Sequence, residues 1–219
     1  MIKLVVFDFD GVLVDSNEAW ADIYSRAAKA TGLKKDVAYD DIKEHYGKPY
    51  IDVLRAAYPE VTNDESTVER MYSNFIDLAS SEDFGSSFKL IKGARKTLDE
   101  LKGRFTLAVG SGNTKRMLEK FLKKLRLADY FRFIVTIDDV KKGKPSPDML
   151  IKAIRHFNVK PEEAVYVGDA ASDVLAAKRA GMRSVAVLTG ALGKEEAVKL
   201  KADYVVEDVS KLPEVLSCM

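Results

Sequence analysis

The sequence predicts an α/β fold: a three-layer, Rossmann-like core with a parallel sheet, and a helical module inserted after the first strand. Three observations predict it. Short apolar runs of strand length recur at 2–7, 105–109, 133–137, 164–167, 184–188 and 204–206. Between the later runs, apolar residues fall at helical spacing, as in Met117, Leu118, Phe121, Leu122 and Leu125, and again in Met149, Leu150, Ala153, Ile154 and Phe157. Strands alternating with helices in this way imply parallel pairing, because each parallel connection needs a crossover. Residues 16–89 break the alternation. They carry no strand pattern but three helical ones, around Ala19-Ile23-Ala27, Ile51-Leu54-Tyr58 and Val68-Met71-Phe75, punctuated by Gly32, Pro49 and Pro59. The expected division is a discontinuous core, 1–15 with 90–219, and a helical module, 16–89. The small polar segment Phe84-Gly85-Ser86-Ser87 suits a hinge.

Composition narrows the function classes. The chain has 219 residues, 47% of them hydrophobic, which suits a packed globular core. Its formal net charge is +1, so no basic excess exists to neutralise a nucleic-acid backbone. The single cysteine, Cys218, excludes an internal disulfide and a cysteine-based zinc site. The run 2–7 is cut short by Asp8 and Asp10, and nothing approaches the roughly 20 apolar residues that span a bilayer. The expectation is a cytoplasmic protein with neither nucleic-acid nor membrane partners, a monomer or small homo-oligomer.

The strand ends carry the chemistry. The first run ends in Phe7-Asp8-Phe9-Asp10-Gly11. Residues two apart in extended chain point the same way, ~6–7 Å apart, and two such carboxylates repel unless a cation lies between them or one holds a proton. Asp-Gly is also ordinary turn chemistry. The second run ends in Ser111-Gly112-Asn113-Thr114 before a helix, where backbone N–H groups and the helix dipole favour an anion; Asn113 or Thr114 also serves as a plain N-cap. After the third run comes Lys144-Pro145-Ser146-Pro147. Ser146 and Pro147 read as N-cap and first helical residue, and proline biases Lys144 toward extended backbone. The fourth ends in Gly168-Asp169 with Asp173 four residues on, a pair that can share a helix face. An acidic set at strand ends suits a hard divalent cation such as Mg²⁺.

On these motifs the chain resembles the haloacid dehalogenase superfamily, in the branch with a helical cap after the first strand. The resemblance rests on Asp8-x-Asp10-Gly11, Ser111, Lys144-Pro145 and Gly168-Asp169 with Asp173, and covers nearly the whole length. It implies two-step phosphoryl transfer. Asp8 would be the nucleophile forming an aspartyl phosphate, and Asp10 the general acid and then base. Magnesium would be held by Asp8, the Asp10 carbonyl and Asp169, with Asp173 as ligand or supporting partner. Ser111, the Gly112 and Asn113 amides and Lys144 would hold the phosphoryl oxygens. The dehalogenases of the superfamily lack an aspartate at the position of Asp10, so its presence favours phosphoryl over halide chemistry. Phosphonate hydrolysis in the family uses an imine-forming cap lysine, for which Lys29, Lys43 and Lys48 qualify by type alone. Lys48, Tyr46 and Tyr50 are the cap positions expected to select the leaving group. Trp20 reads as packing, and His45 and His156 take no role. The leading expectation is a magnesium-dependent phosphatase of small phosphorylated metabolites, such as phosphoglycolate or sugar phosphates. The alternatives are a sugar-phosphate mutase and, from a different class, a non-catalytic phospho-receiver.

Overall fold

Leu4, Val5, Val6 and Phe7 have no exposed surface, and a strand buried on both faces belongs in the interior of a covered parallel sheet. The computed structural model of the chain, which describes residues 1–45 and 49–219, places it there. In chain order the elements are β1 (Leu4–Phe7), β2 (Val14–Asp15), α1 (Asn17–Lys29), α2 (Tyr39–Ile42), α3 (Tyr50–Ala57), α4 (Glu65–Ser80), β3 (Lys89–Leu90), α5 (Ala94–Leu101), β4 (Thr106–Ser111), α6 (Lys115–Lys124), β5 (Phe133–Thr136), α7 (Asp148–Phe157), β6 (Ala164–Gly168), α8 (Ala171–Ala180), β7 (Arg183–Val187), α9 (Lys194–Lys199), β8 (Tyr204–Val206) and α10 (Leu212–Ser217).

Six strands form one parallel sheet in the order β5-β4-β1-β6-β7-β8, with helices on both sides. The chain builds outward from β1 through β4 to β5, then returns to the other flank for β6, β7 and β8. Strand order therefore reverses about β1, and the crevice at such a switch, outside the strands' C-terminal ends, is where α/β sheets bind ligands. Phe7 pairs in register with Val109 and Val167, so three adjacent strands end together. On one face Leu4, Val6, Ala108 and Tyr166 pack against Leu150, Ala153 and Ile154 of α7 and Ala176, Ala177 and Ala180 of α8. Of opposite parity, Phe7 meets Phe131 edge-on, and beyond the strand Phe9 stacks on Phe121 of α6.

The described residues divide into two compact units, Met1–Asp15 with Lys89–Met219, and Ser16–Phe88. The second is helical. Its centre is aromatic: Trp20 stacks on Tyr50 at 5.7 Å and Phe75 at 5.9 Å, with Phe84 edge-on at 4.7 Å. Trp20 is therefore packing, as its sequence context suggested, and Tyr50 is part of the same cluster. Phe84 and Phe88 are buried, so the return segment is anchored at its aromatic positions. Lys29 and Lys43 sit in surface ion pairs with Asp36 and Asp40 at 2.5 and 2.8 Å. Neither side chain is desolvated, the condition that activates a lysine as an imine-forming nucleophile. Tyr46 and Lys48 lie outside the described residues.

Two local expectations need correction, and one feature lies outside what the sequence announced. The chain enters and leaves the helical unit through an antiparallel ribbon, Val14 paired with Leu90 and Asp15 with Lys89; two residues per strand are too few to leave a periodic signal. Helix α7 begins one residue later than expected, with Pro147 as N-cap, while Ser146 Oγ donates to Asp148 Oδ1 at 2.8 Å. The Lys144–Pro145 peptide bond is cis.

Candidate active site

Parallel strands put Asp8, Ser111 and Asp169 on one edge of the sheet, because each directly follows or ends its strand. Asp8 continues the ladder, its N–H donating to Val167 O at 2.8 Å, so its backbone is fixed. Its side chain is held at both oxygens: Oδ1 accepts from Phe9 N at 2.8 Å, and Oδ2 from Lys144 Nζ at 2.6 Å. Lys144 reaches in from the segment before α7 and also pairs with Asp173 Oδ1 at 2.7 Å. Its side chain is 3% exposed, a burial that only paired ammonium groups sustain.

The carboxylates of Asp8, Asp169 and Asp173 are buried and offer oxygens within 4.8 Å of one another. With all three carboxylates ionised, one ammonium would leave the pocket at −2. Burial pushes the Asp8 carboxyl up to about 7 despite the Lys144 ammonium, with Asp173 adding repulsion. Burial likewise holds Asp169 well above the usual carboxylate range, with Asp173 and Asp8 adding to it. Burial opposes the charge on Lys144, yet Asp173 and Asp8 outweigh that and raise its pKa well above the ordinary lysine value. A doubly charged cation with oxygen ligands fits this deficit and this donor set.

The acids do not stand equally. Asp173 is fully used within the protein: Oδ2 accepts from Asp169 N at 3.1 Å and Ala170 N at 3.0 Å, and Oδ1 faces Lys144 and the Tyr166 hydroxyl. It caps α8 and anchors Lys144. Asp169 Oδ2 accepts from Ala191 N at 3.1 Å. Asp10 lies outside the carboxylate cluster, half-buried in the turn after β1, and accepts from Asn113 Nδ2 at 2.6 Å. Ser111 and Asn113 are buried, and Thr114 is the N-cap of α6, accepting from Met117 N at 3.4 Å. Gly112 lies between them, at the end of β4, where a Cβ would meet nothing within 4 Å. Asp8, Asp10, Ser111, Asn113, Lys144, Asp169 and Asp173 thus converge as the sequence arranged them.

Two contributors escape a reading of residue types. Tyr166, inside β6, is buried beneath the site; its hydroxyl donates to Gly110 O at 2.9 Å and accepts from Lys144 Nζ at 3.2 Å. Burial holds this phenol well above its ordinary value, so it stays a neutral prop for the lysine. The loop after β7 is a fifth strand end. Thr189 Oγ1 donates to Gly11 O at 2.5 Å, and Leu192 N to Asp169 O at 2.7 Å. A Cβ on Gly190 would stand 1.7 Å from Asp169 Oδ2, and one on Gly11, where φ is +70°, 2.2 Å from the same atom. Only hydrogen fits at either position. The Thr-Gly pair directly after an apolar run was the available signal for that loop.

Comparison with known proteins places this arrangement. The family model for haloacid dehalogenase-like hydrolases matches residues 5–187. Pyrophosphatase PpaX of Anoxybacillus flavithermus is 26% identical over 98% of this chain and 97% of its own length. A Thermotoga maritima protein, a candidate beta-phosphoglucomutase by its description, superposes with a TM-score of 0.74 at 27% identity, covering 100% of both chains. A predicted phosphoglycolate phosphatase of Haemophilus somnus shares the fold with a TM-score of 0.85 at 22% identity, covering 98% of both.

Proposed function

The chain belongs to the haloacid dehalogenase-like hydrolase family, and from that premise we propose that it is a magnesium-dependent phosphatase of small phosphorylated metabolites, working through a phosphorylated Asp8. The observation that carries the reading is the pocket itself: a backbone-fixed carboxylate at the sheet's switch point, paired with a buried lysine, in a site where three carboxylates face one ammonium.

Asp8 attacks phosphorus as the bond to the leaving oxygen breaks. Asp10 gives that oxygen a proton, then takes one from the water that hydrolyses the aspartyl phosphate. Lys144 holds its ammonium against Asp8 and supplies positive charge to the phosphoryl oxygens, while Asp173 and Tyr166 fix where that ammonium sits. Ser111 and the Gly112 amide cradle the same oxygens. Asp8, the Asp10 carbonyl and Asp169 would hold magnesium, which when bound would supply the charge that lets two anions approach. Asp173, saturated by hydrogen bonds, acts behind these ligands. On this reading the helical unit, with Lys48, is the cap that chooses the leaving group.

Phosphoglycolate and sugar phosphates are the first substrates to try. Inorganic pyrophosphate joins them because a full-length relative carries the name pyrophosphatase. A mutase is the second reading, favoured by the likeness to the Thermotoga maritima protein; it would build a sugar bisphosphate from a monophosphate instead of releasing phosphate. The test is a panel of these compounds with p-nitrophenyl phosphate and Mg²⁺, ranked by kcat/KM. Phosphate release that vanishes in Asp8→Asn is expected. Full activity in that variant would overturn the assignment.

A further inference from the structure

The sequence motif suggests that Asn113 holds phosphate through its backbone amide, but its hydrogen bonds point to a different task. The residue is 3% exposed. Its Nδ2 donates in two directions, 2.6 Å to Asp10 Oδ2 and 3.0 Å to Ser111 Oγ, and its backbone N–H donates to Ser111 Oγ as well, at 3.2 Å. A hydroxyl has one proton to give and two lone pairs. With both lone pairs taken by Asn113, the Ser111 proton is directed outward, the polarity an anion needs.

The contact to Asp10 has its own logic. Asp10 sits outside the sheet, in a turn held by an isolated bridge to Val14, so backbone pairing does little to fix its carboxylate. A neutral carboxamide orients without imposing charge. It donates to the carboxylate, and its own oxygen adds no acidity.

We propose that Asn113 is a positioning residue for the acid–base step: one carboxamide fixes the Asp10 carboxylate where it meets the leaving oxygen, and turns Ser111 into a donor. This rests on the phosphatase reading above. It predicts a dependence on leaving group that phosphate binding alone does not. An alkyl phosphate needs a proton on its departing oxygen, whereas p-nitrophenolate departs without one.

The experiment compares kcat/KM for p-nitrophenyl phosphate and for an alkyl phosphate, glycerol phosphate, in wild type, Asn113→Ala, Asn113→Gln and Asp10→Asn, with Mg²⁺. Asn113→Ala is expected to lose ~10²-fold or more on the alkyl ester, within the range of general acid–base catalysis, and about tenfold or less on the aryl ester. Asn113→Gln, which retains a donor, recovers part of the ratio. In the Asp10→Asn background, Asn113→Ala changes the ratio no further. The ratio of two substrates is unaffected by the fraction of enzyme folded, so a destabilised variant still reports. Equal losses on both esters, or a ratio change that persists without Asp10, overturn this inference alone. Hydrolysis of no ester by wild type overturns the phosphatase reading with it.

Discussion

Lys144 shows how much one side chain carries. It spans Asp8 and Asp173 at 2.6 and 2.7 Å, with Tyr166 against its third side. Breaking a buried ion pair from one end leaves the other charge desolvated, at a cost of ~3–5 kcal/mol. Lys144→Met, which keeps the volume, should lower stability by about that amount in urea denaturation at pH 7 in EDTA, and added Mg²⁺ should recover more in the variant than in wild type. Unchanged stability would mean that the carboxylates are already neutral there. The same residue marks where the sequence speaks. Lysine, aspartate and serine stand out at the ends of apolar runs because burial penalises them unless they have a use. Tyr166 does not stand out, since an aromatic residue inside a strand run reads as core until its hydroxyl is located. Ala191 contributes only a backbone N–H to Asp169, which no side-chain type announces.

At the scale of elements, strand ends were legible because apolar runs stop abruptly in acids, glycines and hydroxyls. All six strands of the main sheet fall within two residues of their apolar runs. The β2–β3 ribbon was not legible, because its pairing depends on two segments more than 70 residues apart along the chain, which only the closed fold brings together. The loop between β7 and α9 was overlooked although it encloses Asp169. Its demand for space yields a sharp test. In Gly190→Ala the new Cβ would meet Asp169 Oδ2 at 1.7 Å, and that oxygen is already held by Ala191 N, so the carboxylate must leave its position. Disturbing a ligand's supporting shell typically weakens metal affinity ~10–100-fold. The Mg²⁺-dependent rise in Tm should shift to higher metal concentration by that factor. Gly103→Ala, where a Cβ meets nothing within 4 Å, should leave it unmoved. Equal behaviour of the two variants would show that Asp169 is not placed by this loop.

For the whole molecule, charge is nearly balanced, 35 basic against 34 acidic residues, so overall self-repulsion contributes little to the pH dependence of stability near neutrality. The local imbalance at the sheet edge then governs it. Without metal, burial raises Asp8 from 3.8 to about 7 and raises Asp169 as well. Between pH 4 and 7 the folded protein keeps a proton that the unfolded chain has released. More protons bound in the native state means that stability falls as pH rises through this window. Asp139, whose carboxyl is lowered by Lys152 and Thr136 against the effect of its burial, acts in the opposite sense but only as pH drops toward 4 and below. Lys144, raised, loses its contribution only above the ordinary lysine range. A divalent cation binds the ionised pocket and not the protonated one, so it adds more stability the higher the pH. Thermal melts from pH 5 to 8 in EDTA should therefore decline in Tm, the same melts in Mg²⁺ should decline less or not at all, and the gap between the curves should widen steadily with pH. Parallel curves would mean that the cation binds without displacing protons, and that Asp8 and Asp169 are not its ligands.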